Sequence, residues 1–232
     1  TMLRQRPFGT IANPDDTPQA VFISGFDSAP LAPDYGFTLK DDLVDFQAGV
    51  NAMAKLTDGK VFIGVPATDH PLAGVKNAEI TCFEGPHTAG NVGIQIHHIQ
   101  PLNKGDLVWT VNPQDVVIIG RLFTQGRYNP SIAVAVTGSE IKEPQYYKVN
   151  KGALVSTLLT DELKNSGKRI ISGNVLTGEK VSYSGYLGFY HNQVTVIPEG
   201  NYHEFFGWAL PGFGKFSFSK AFFSWAHGTR KY

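Results

Sequence analysis

The chain lacks several features that would mark common classes of protein. Its 232 residues contain a single cysteine, so no disulfide can form within the chain, and the four cysteine ligands of a typical iron–sulfur cluster are not available. Lysine and arginine together number 20, as do aspartate and glutamate. A neutral chain without a dense basic segment argues against nucleic acid as the partner. No apolar run approaches the ~20 residues that a transmembrane helix requires, so no transmembrane segment is predicted.

Glycine and histidine are concentrated in residues 85–98, directly after an apolar run at 80–83. The glycine spacing is not Gly-x-Gly-x-x-Gly, and no Gly-Lys-Ser or Gly-Lys-Thr follows, so both common nucleotide-binding motifs are missing. If residues 90–99 form a helix, its N-terminus at Gly90, Asn91 and Gly93 can bind an anion such as sulfate or phosphate. The alternative is that the glycines only allow the helix to pack closely on a sheet.

Strand and helix patterns alternate over residues 1–128, which predicts an α/β domain with a parallel sheet covered by helices. The predicted strands lie at 21–24, 61–65, 80–83 and 108–111. Cys82 falls in the third of them, among apolar neighbours, so we expect it to be a small buried side chain.

Two helices are predicted between these strands. Apolar residues recur at helical spacing over 39–53, with Thr38 and Asp41 as a capping box and Gly59 as the stop. Asn112, followed by proline and an acidic residue, predicts the start of a second helix that ends at the next glycine after Phe123.

A break at Asn129 and Pro130 predicts a domain boundary. Residues 129–200 then predict a small β-grasp-like α+β domain. Its strands are expected at 132–136, 146–149, 169–173 and 194–197, with a short helix at 154–159. Residues 201–232 are dense in phenylalanine and tryptophan, so we expect other protein to cover this segment and the chain to continue beyond it.

Six motifs built from uncommon residues occur in order along the chain. They are Arg4-x-Arg6-Pro7-Phe8, Gly85-Pro86-His87-x-Ala89-Gly90, Trp109-x-x-Asn112-x-Gln114-Asp115-Val116, Arg169-x-Ile171-Ser172-Gly173-x-Val175-Leu176-x-Gly178, Tyr186-Leu187-Gly188-x-Tyr190-His191 and Phe206-Gly207-Trp208. This set resembles the family of A subunits of the bacterial Na⁺-translocating NADH:quinone oxidoreductase over essentially the whole chain. The resemblance implies a Rossmann-like domain, a soluble-ligand-binding β-grasp (SLBB-like) domain, and further regions of the polypeptide outside this sequence.

The resemblance also implies a function. It indicates a non-flavin peripheral component on the cytoplasmic face of the bacterial inner membrane, which contacts other subunits and contributes to quinone binding and assembly. No cofactor is expected in this chain: flavins and an iron–sulfur cluster are expected in other subunits, and quinone is the substrate of the complex. One alternative is a free-standing small-ligand-binding β-grasp module. A second is a flavin or NADH enzyme like the flavin-binding subunit of respiratory complex I, against which the missing glycine fingerprint and cysteines count.

Four side chains are the candidate quinone contacts. In the segment Arg4, Arg6 and Phe8, an aromatic ring can stack on the quinone head, and a guanidinium can hydrogen-bond to it and stabilise the anion formed on reduction. The alternative is that the arginines form surface ion pairs. His87 can donate to a quinone carbonyl or relay a proton, or it can hold the glycine-rich turn through hydrogen bonds. No catalytic residue is predicted within this chain.

The remaining histidines are given structural interpretations. His97 and His98 are adjacent, so their side chains point in different directions and do not predict a shared metal ion. His191 is predicted to be a hydrogen-bonded structural residue of the second domain.

Overall fold

The computed structural model describes residues 1–160, 163, 167–201, 203–213, 215 and 222–223. The first sheet has six strands in the order β2-β1-β6-β3-β4-β5. These strands are β1 (Arg4–Arg6), β2 (Thr10–Ile11), β3 (Ala20–Ser24), β4 (Lys60–Val65), β5 (Glu79–Cys82) and β6 (Val108–Val111). β6, β3, β4 and β5 are parallel, whereas β1 and β2 extend the sheet in antiparallel fashion beyond β6. The sheet is therefore mixed, not wholly parallel as predicted.

Helices cover both faces of this sheet. They are α1 (Tyr35–Thr38), α2 (Leu43–Met53), α3 (Val92–Ile99) and α4 (Pro113–Gln125), with a short 3₁₀ helix at Pro71–Gly74. α2 and α4 share the main apolar core with one face of the sheet, and Ile96 of α3 packs with Phe22 and Phe62 on the other face. α2 and α4 cross closely, because a Cβ at Gly120 would lie 1.7 Å from the carbonyl oxygen of Asp45.

The helix predicted over 39–53 begins later in the structure, because only α2 falls within that range. α1 ends at Thr38 and α2 begins at Leu43, so the predicted capping box does not form. The carboxylate of Asp42, the residue that precedes α2, is 2.8 Å from the guanidinium of Arg121 on α4, so a tertiary contact lies at the start of α2. α2 also ends at Met53, before the predicted stop. The helix predicted to start after Asn112 is confirmed, since the Asn112 side chain accepts a hydrogen bond from the backbone N–H of Gln114.

The second sheet has five strands in the order β10-β9-β11-β7-β8. These elements are β7 (Ser131–Thr137), β8 (Gln145–Asn150), the short helix α5 (Val155–Leu158), β9 (Lys168–Ser172), β10 (Glu179–Val181) and β11 (Gln193–Pro198). β11 is parallel to β7, and the other pairs are antiparallel. β10 was not predicted, because a strand of three residues that includes two charged side chains gives no apolar alternation. The predicted fold class, an α/β domain followed by a small α+β domain, is confirmed, and the second domain is mostly β-sheet.

Helix α4 joins the two sheets into one packed structure. Val116 and Val117 face the core of the first sheet, whereas Ile118 belongs to the core of the second sheet together with Val134 and Val196. Because one helix contributes to both cores, the second sheet is held beside the carboxyl ends of the parallel strands. This position creates the cleft described below.

Burial was predicted for Cys82, and cover by other protein was predicted for the aromatic residues after position 200. Cys82 is exposed and not buried, because it ends β5, which lies at the open edge of the sheet. In the aromatic segment, Phe205 and Trp208 are largely exposed, whereas Phe216, Phe218 and Trp225 lie outside the described residues. Within the described part of the chain, every helix is too short or too polar to cross a membrane.

Candidate ligand-binding cleft

An open cleft of about 650 Å³ lies at the carboxyl ends of β3 and β6. The chain moves from β3 outward to β4 and β5, and then returns to place β6 on the opposite side of β3. Such a reversal leaves a crevice between the loops that follow the two strands, which is where ligands bind in open α/β sheets. Residues 24, 26 and 27 after β3 and residues 110–112 at the end of β6 line the cleft.

Two arginines from β1 line this cleft. β1 pairs with β6 so that Arg4 lies opposite Thr110, and Arg4 and Arg6 share one face of the strand because side chains alternate. The Arg4 guanidinium donates to the carbonyl oxygen of Gly9 at 2.8 Å and lies 4.7 Å from the centre of the Tyr190 ring. Among the described residues, no carboxylate forms an ion pair with either arginine. The two guanidinium groups therefore bring positive charge into the cleft.

The glycine-rich turn forms one wall of the cleft and leads into α3. Gly90 is held against the loop after β3, because its N–H donates to the Ser28 hydroxyl at 2.9 Å. A Cβ at Gly90 would lie only 2.4 Å from the backbone nitrogen of Ser28, so this contact requires glycine. The N–H of Asn91 donates to the carbonyl of Thr88. Two N–H groups of the predicted anion site are thus already bound to protein, which matches the packing alternative.

The floor of the cleft is a polar cluster around Tyr35. The Asn112 side chain donates to the Tyr35 hydroxyl at 3.1 Å, and the Asn192 side chain donates to the same oxygen at 3.2 Å. Tyr35 is 5% exposed, and this burial raises the pKa of its phenol to about 12. The phenol is therefore neutral near pH 7, and it connects the first sheet to the residue that precedes β11.

A buried ion pair lies beside this cluster. Asp115 of α4 is 1% exposed and pairs with Lys151, which follows β8 and places its Nζ 4.3 Å from the centre of the Phe189 ring. Burial raises the pKa of the Asp115 carboxyl, and the positive charge of Lys151 opposes that rise. The second carboxylate oxygen of Asp115, Oδ2, is buried without a hydrogen-bond partner among the described residues.

The structure brings some of the predicted site residues together and separates others. Arg4, Arg6 and the predicted anion-site residues 90, 91 and 93 all line the one cleft. Phe8 projects from the turn between β1 and β2 with 89% of its surface exposed, outside the cleft lining. His87 is also outside it, and its Nδ1 lies 3.0 Å from the Ser28 hydroxyl, so it ties the glycine-rich turn to the loop after β3.

The other histidines have clear structural surroundings. His191 Nδ1 lies 2.8 Å from the Ser172 hydroxyl, which confirms the predicted structural hydrogen bond, and burial lowers the pKa of its imidazole. His97 and His98 are exposed on the last turn of α3. No cluster of three potential metal ligands occurs among the described residues.

Sequence reasoning missed Tyr35 and Tyr190 as parts of the cleft, and Asn192 as a hydrogen-bond partner of Tyr35. Tyr35 and Asn192 are 157 residues apart in the chain, so no local spacing links them. The motif Tyr186-Leu187-Gly188-x-Tyr190-His191 marked the segment that carries Tyr190, but not the cleft that its ring faces.

Sequence comparisons identify the family. Residues 1–128 match the family described as the NqrA second alpha/beta domain, and residues 133–183 match the one described as the NQRA C-terminal domain, SLBB. The A subunit of the Na⁺-translocating NADH-quinone reductase of Shewanella denitrificans is 41% identical over 97% of this chain and 50% of its own length. The corresponding protein of Neisseria meningitidis serogroup A is 40% identical over 95% of this chain and 50% of its own length. The chain thus spans about half the length of the curated relatives it matches.

Solved structures show the same fold at low identity. An NAD⁺-reducing [NiFe]-hydrogenase in its H₂-reduced state superposes with a TM-score of 0.52 at 12% sequence identity, covering 79% of this chain and 41% of that chain. The air-oxidized state of that enzyme gives a TM-score of 0.51 at 12% identity, again covering 79% of this chain and 41% of that one. At this identity the likeness concerns the fold alone. The family match over residues 1–128, more than half of the chain, shows that the chain belongs to the NqrA family, the A subunits of Na⁺-translocating NADH-quinone reductases.

Proposed function

We propose that the cleft between the two sheets is a quinone contact site in a membrane-bound NADH–quinone reductase. In this proposal the chain is a peripheral, non-flavin part of the complex at the cytoplasmic face of the bacterial inner membrane. Flavins and an iron–sulfur cluster belong to other subunits, and the exposed aromatic residues around Trp208 contact neighbouring protein during assembly. The family membership and the names of the relatives support this assignment.

The observation that carries the quinone proposal is the pair of arginines in the cleft. Guanidinium groups donate hydrogen bonds to carbonyl oxygens and stabilise negative charge that develops there. Arg4 is already fixed over the Tyr190 ring and bonded to Gly9, whereas Arg6 has no ion-pair partner among the described residues. Arg6 is therefore the side chain best placed to bind a quinone oxygen.

The remainder of the cleft suits a ligand that is part polar and part apolar. Met2, Val92 and Ile94 line it together with the arginines, so an apolar ring or chain can lie against one wall while an oxygen faces the other. Phe8 stands exposed outside the lining, and we propose that its ring contacts quinone at the mouth of the cleft. His87 holds the loop after β3 through its contact with Ser28. In this proposal His87 also contacts the quinone directly.

The test is the binding of a water-soluble, short-chain ubiquinone to the full-length protein that contains this chain, measured by calorimetry. Arg6→Gln should weaken binding by about tenfold or more, because a hydrogen bond from a charged donor contributes about 1.5–3 kcal/mol. Arg127→Gln is the matched control, since Arg127 is exposed beyond the C-terminal end of α4, whereas the cleft lies at the N-terminal end of that helix. Absence of saturable binding, or equal affinity of both variants and the native protein, contradicts the proposal.

A further inference from the structure

A second cavity of about 240 Å³ adjoins the cleft and extends toward the second sheet. Tyr35 and Tyr190 line both spaces, as do three other residues. The inner wall comes from the loops after β9 and before β11, including Thr177 and His191. We call this cavity the inner chamber, and it shares five lining residues with the cleft.

The charge of the inner chamber selects a neutral occupant. Among the described residues that line it there is no lysine and no arginine, and Asp27 is the one carboxylate. An anion would be repelled by Asp27 and would find no cation to replace its water. A hydrocarbon tail is also excluded, because it would strip water from the amide and hydroxyl groups of the wall. The chamber therefore fits a neutral group that carries hydrogen-bond acceptors.

Tyr35 supplies the first donor for such a group. Its oxygen accepts hydrogen bonds from Asn112 and Asn192. The orientation of the Asn112 amide is fixed because its oxygen accepts from the N–H of Gln114 at 3.0 Å. With both lone pairs of the phenol occupied, its O–H has no acceptor among the described residues and can donate to a ligand.

His191 supplies the second donor. The Ser172 hydroxyl accepts from the N–H of Gly188 at 2.9 Å and lies 2.8 Å from His191 Nδ1. Both hydrogen bonds of the Ser172 hydroxyl form when its hydrogen points to His191 Nδ1. Nδ1 is then the acceptor, so the neutral imidazole carries its hydrogen on Nε2. Because His191 lines the inner chamber, this tautomer offers an N–H donor to a ligand there.

We propose that the inner chamber receives one carbonyl edge of the quinone head, with Tyr35 and His191 as its hydrogen-bond donors. The two carbonyls of a 1,4-quinone lie on opposite edges of the ring, so the second faces outward to Arg6 in the cleft. The apolar tail then leaves through the cleft and not through the chamber. This inference rests on the proposed function and assigns the orientation of the head group.

The first test is the infrared spectrum of a ¹³C-carbonyl-labelled short-chain ubiquinone bound to the full-length protein. A hydrogen bond lowers the C=O stretching frequency, so Tyr35→Phe should return one of the two carbonyl bands toward its free position and weaken binding about fivefold to tenfold. Tyr183→Phe is the matched control, because Tyr183 is exposed outside both cavities. Unchanged carbonyl bands in a folded Tyr35→Phe protein would overturn the assignment.

The second test does not depend on the buried cluster. Thr177 is exposed yet lines the chamber, so Thr177→Phe should fill the space without disturbing a core and reduce quinone affinity more than tenfold, whereas Thr177→Ser should bind as the native protein does. If Thr177→Phe binds quinone normally and Arg6→Gln does not, the chamber assignment fails while the proposed function stands. If the native protein does not bind quinone saturably, both fail.

Discussion

Replacing Lys151 with methionine removes the cation of the buried pair and keeps most of the side-chain volume. Lys151 has a side-chain exposure of 4% and its partner Asp115 one of 1%, so water cannot replace the lost charge. Removing one partner of a buried ion pair lowers the free energy of unfolding by about 3–5 kcal/mol. The lost contact with the Phe189 ring adds about 0.5–2 kcal/mol. We therefore expect Lys151→Met to lower the free energy of unfolding by about 4 kcal/mol at pH 7, measured by urea denaturation of the chain.

The pH dependence of the same variant tests the electrostatic origin of the loss. Burial raises the pKa of the Asp115 carboxyl and Lys151 counteracts it, so the variant should raise that pKa further. A folded-state pKa above the unfolded value favours the protonated form in the folded state. The stabilisation that protonated Asp115 gives the folded state is therefore fully present below the unfolded pKa of 3.8. It is lost as the pH rises through the folded-state pKa of the same carboxyl.

Two outcomes would refute this reasoning. The deficit of Lys151→Met relative to the native chain should shrink as the pH falls from 7, and a deficit that is independent of pH would show that lost packing dominates. The double variant Asp115→Asn with Lys151→Met removes both charges and should recover most of the lost free energy. If the double variant is as unstable as Lys151→Met alone, an unpaired buried carboxylate is not the cause.

Three further predictions follow from the structure. Gly90→Ala should destabilise the chain by about 1–3 kcal/mol in urea denaturation, because its Cβ would lie 2.4 Å from a backbone nitrogen in the loop after β3. Gly74→Ala is the control, and it should leave the stability unchanged because there is open space at its Cβ position. The Arg169 guanidinium and a neighbouring lysine lower the pKa of Glu199 to about 2, so a carboxyl ¹³C NMR titration should show that midpoint, and Arg169→Ala should raise it. The stability that this carboxylate provides is present above the unfolded pKa of 4.5 and lost as the pH falls toward 2; a native midpoint near 4.5 would contradict the contact. Cys82 is exposed, so a thiol reagent should modify it in the folded chain, and protection until unfolding would contradict its edge position.

Much of the fold could be predicted because its signals are local. Helix α4 begins at a cap formed by Asn112 and ends at Gly126, which has a φ of 66°, and both preferences belong to individual residues. β3, β4 and β6 are short apolar runs between turns, so their burial in a parallel sheet follows from composition.

The errors arose where a distant contact overrode a local preference. The apolar spacing over 39–53 predicted a helix from residue 39, but α2 begins at Leu43, directly after Asp42, which pairs with Arg121 of α4. β1 contains two arginines and a glutamine and gives no strand signal, yet it pairs with β6 across three residues. The apolar neighbours of Cys82 predicted burial, whereas its place at the sheet edge exposes it.

The family, the order of the main elements and the lack of the common nucleotide-binding motifs could all be read from the amino-acid sequence, because each depends on residue identity at short spacing. It also identified Arg4 and Arg6 as candidate contacts. The folded arrangement was needed to show that these arginines share a cleft with Tyr35 and Tyr190, and that Phe8 and His87 lie outside its lining. The cleft exists because α4 packs into the cores of both sheets, and such a meeting of distant segments is encoded in no local pattern.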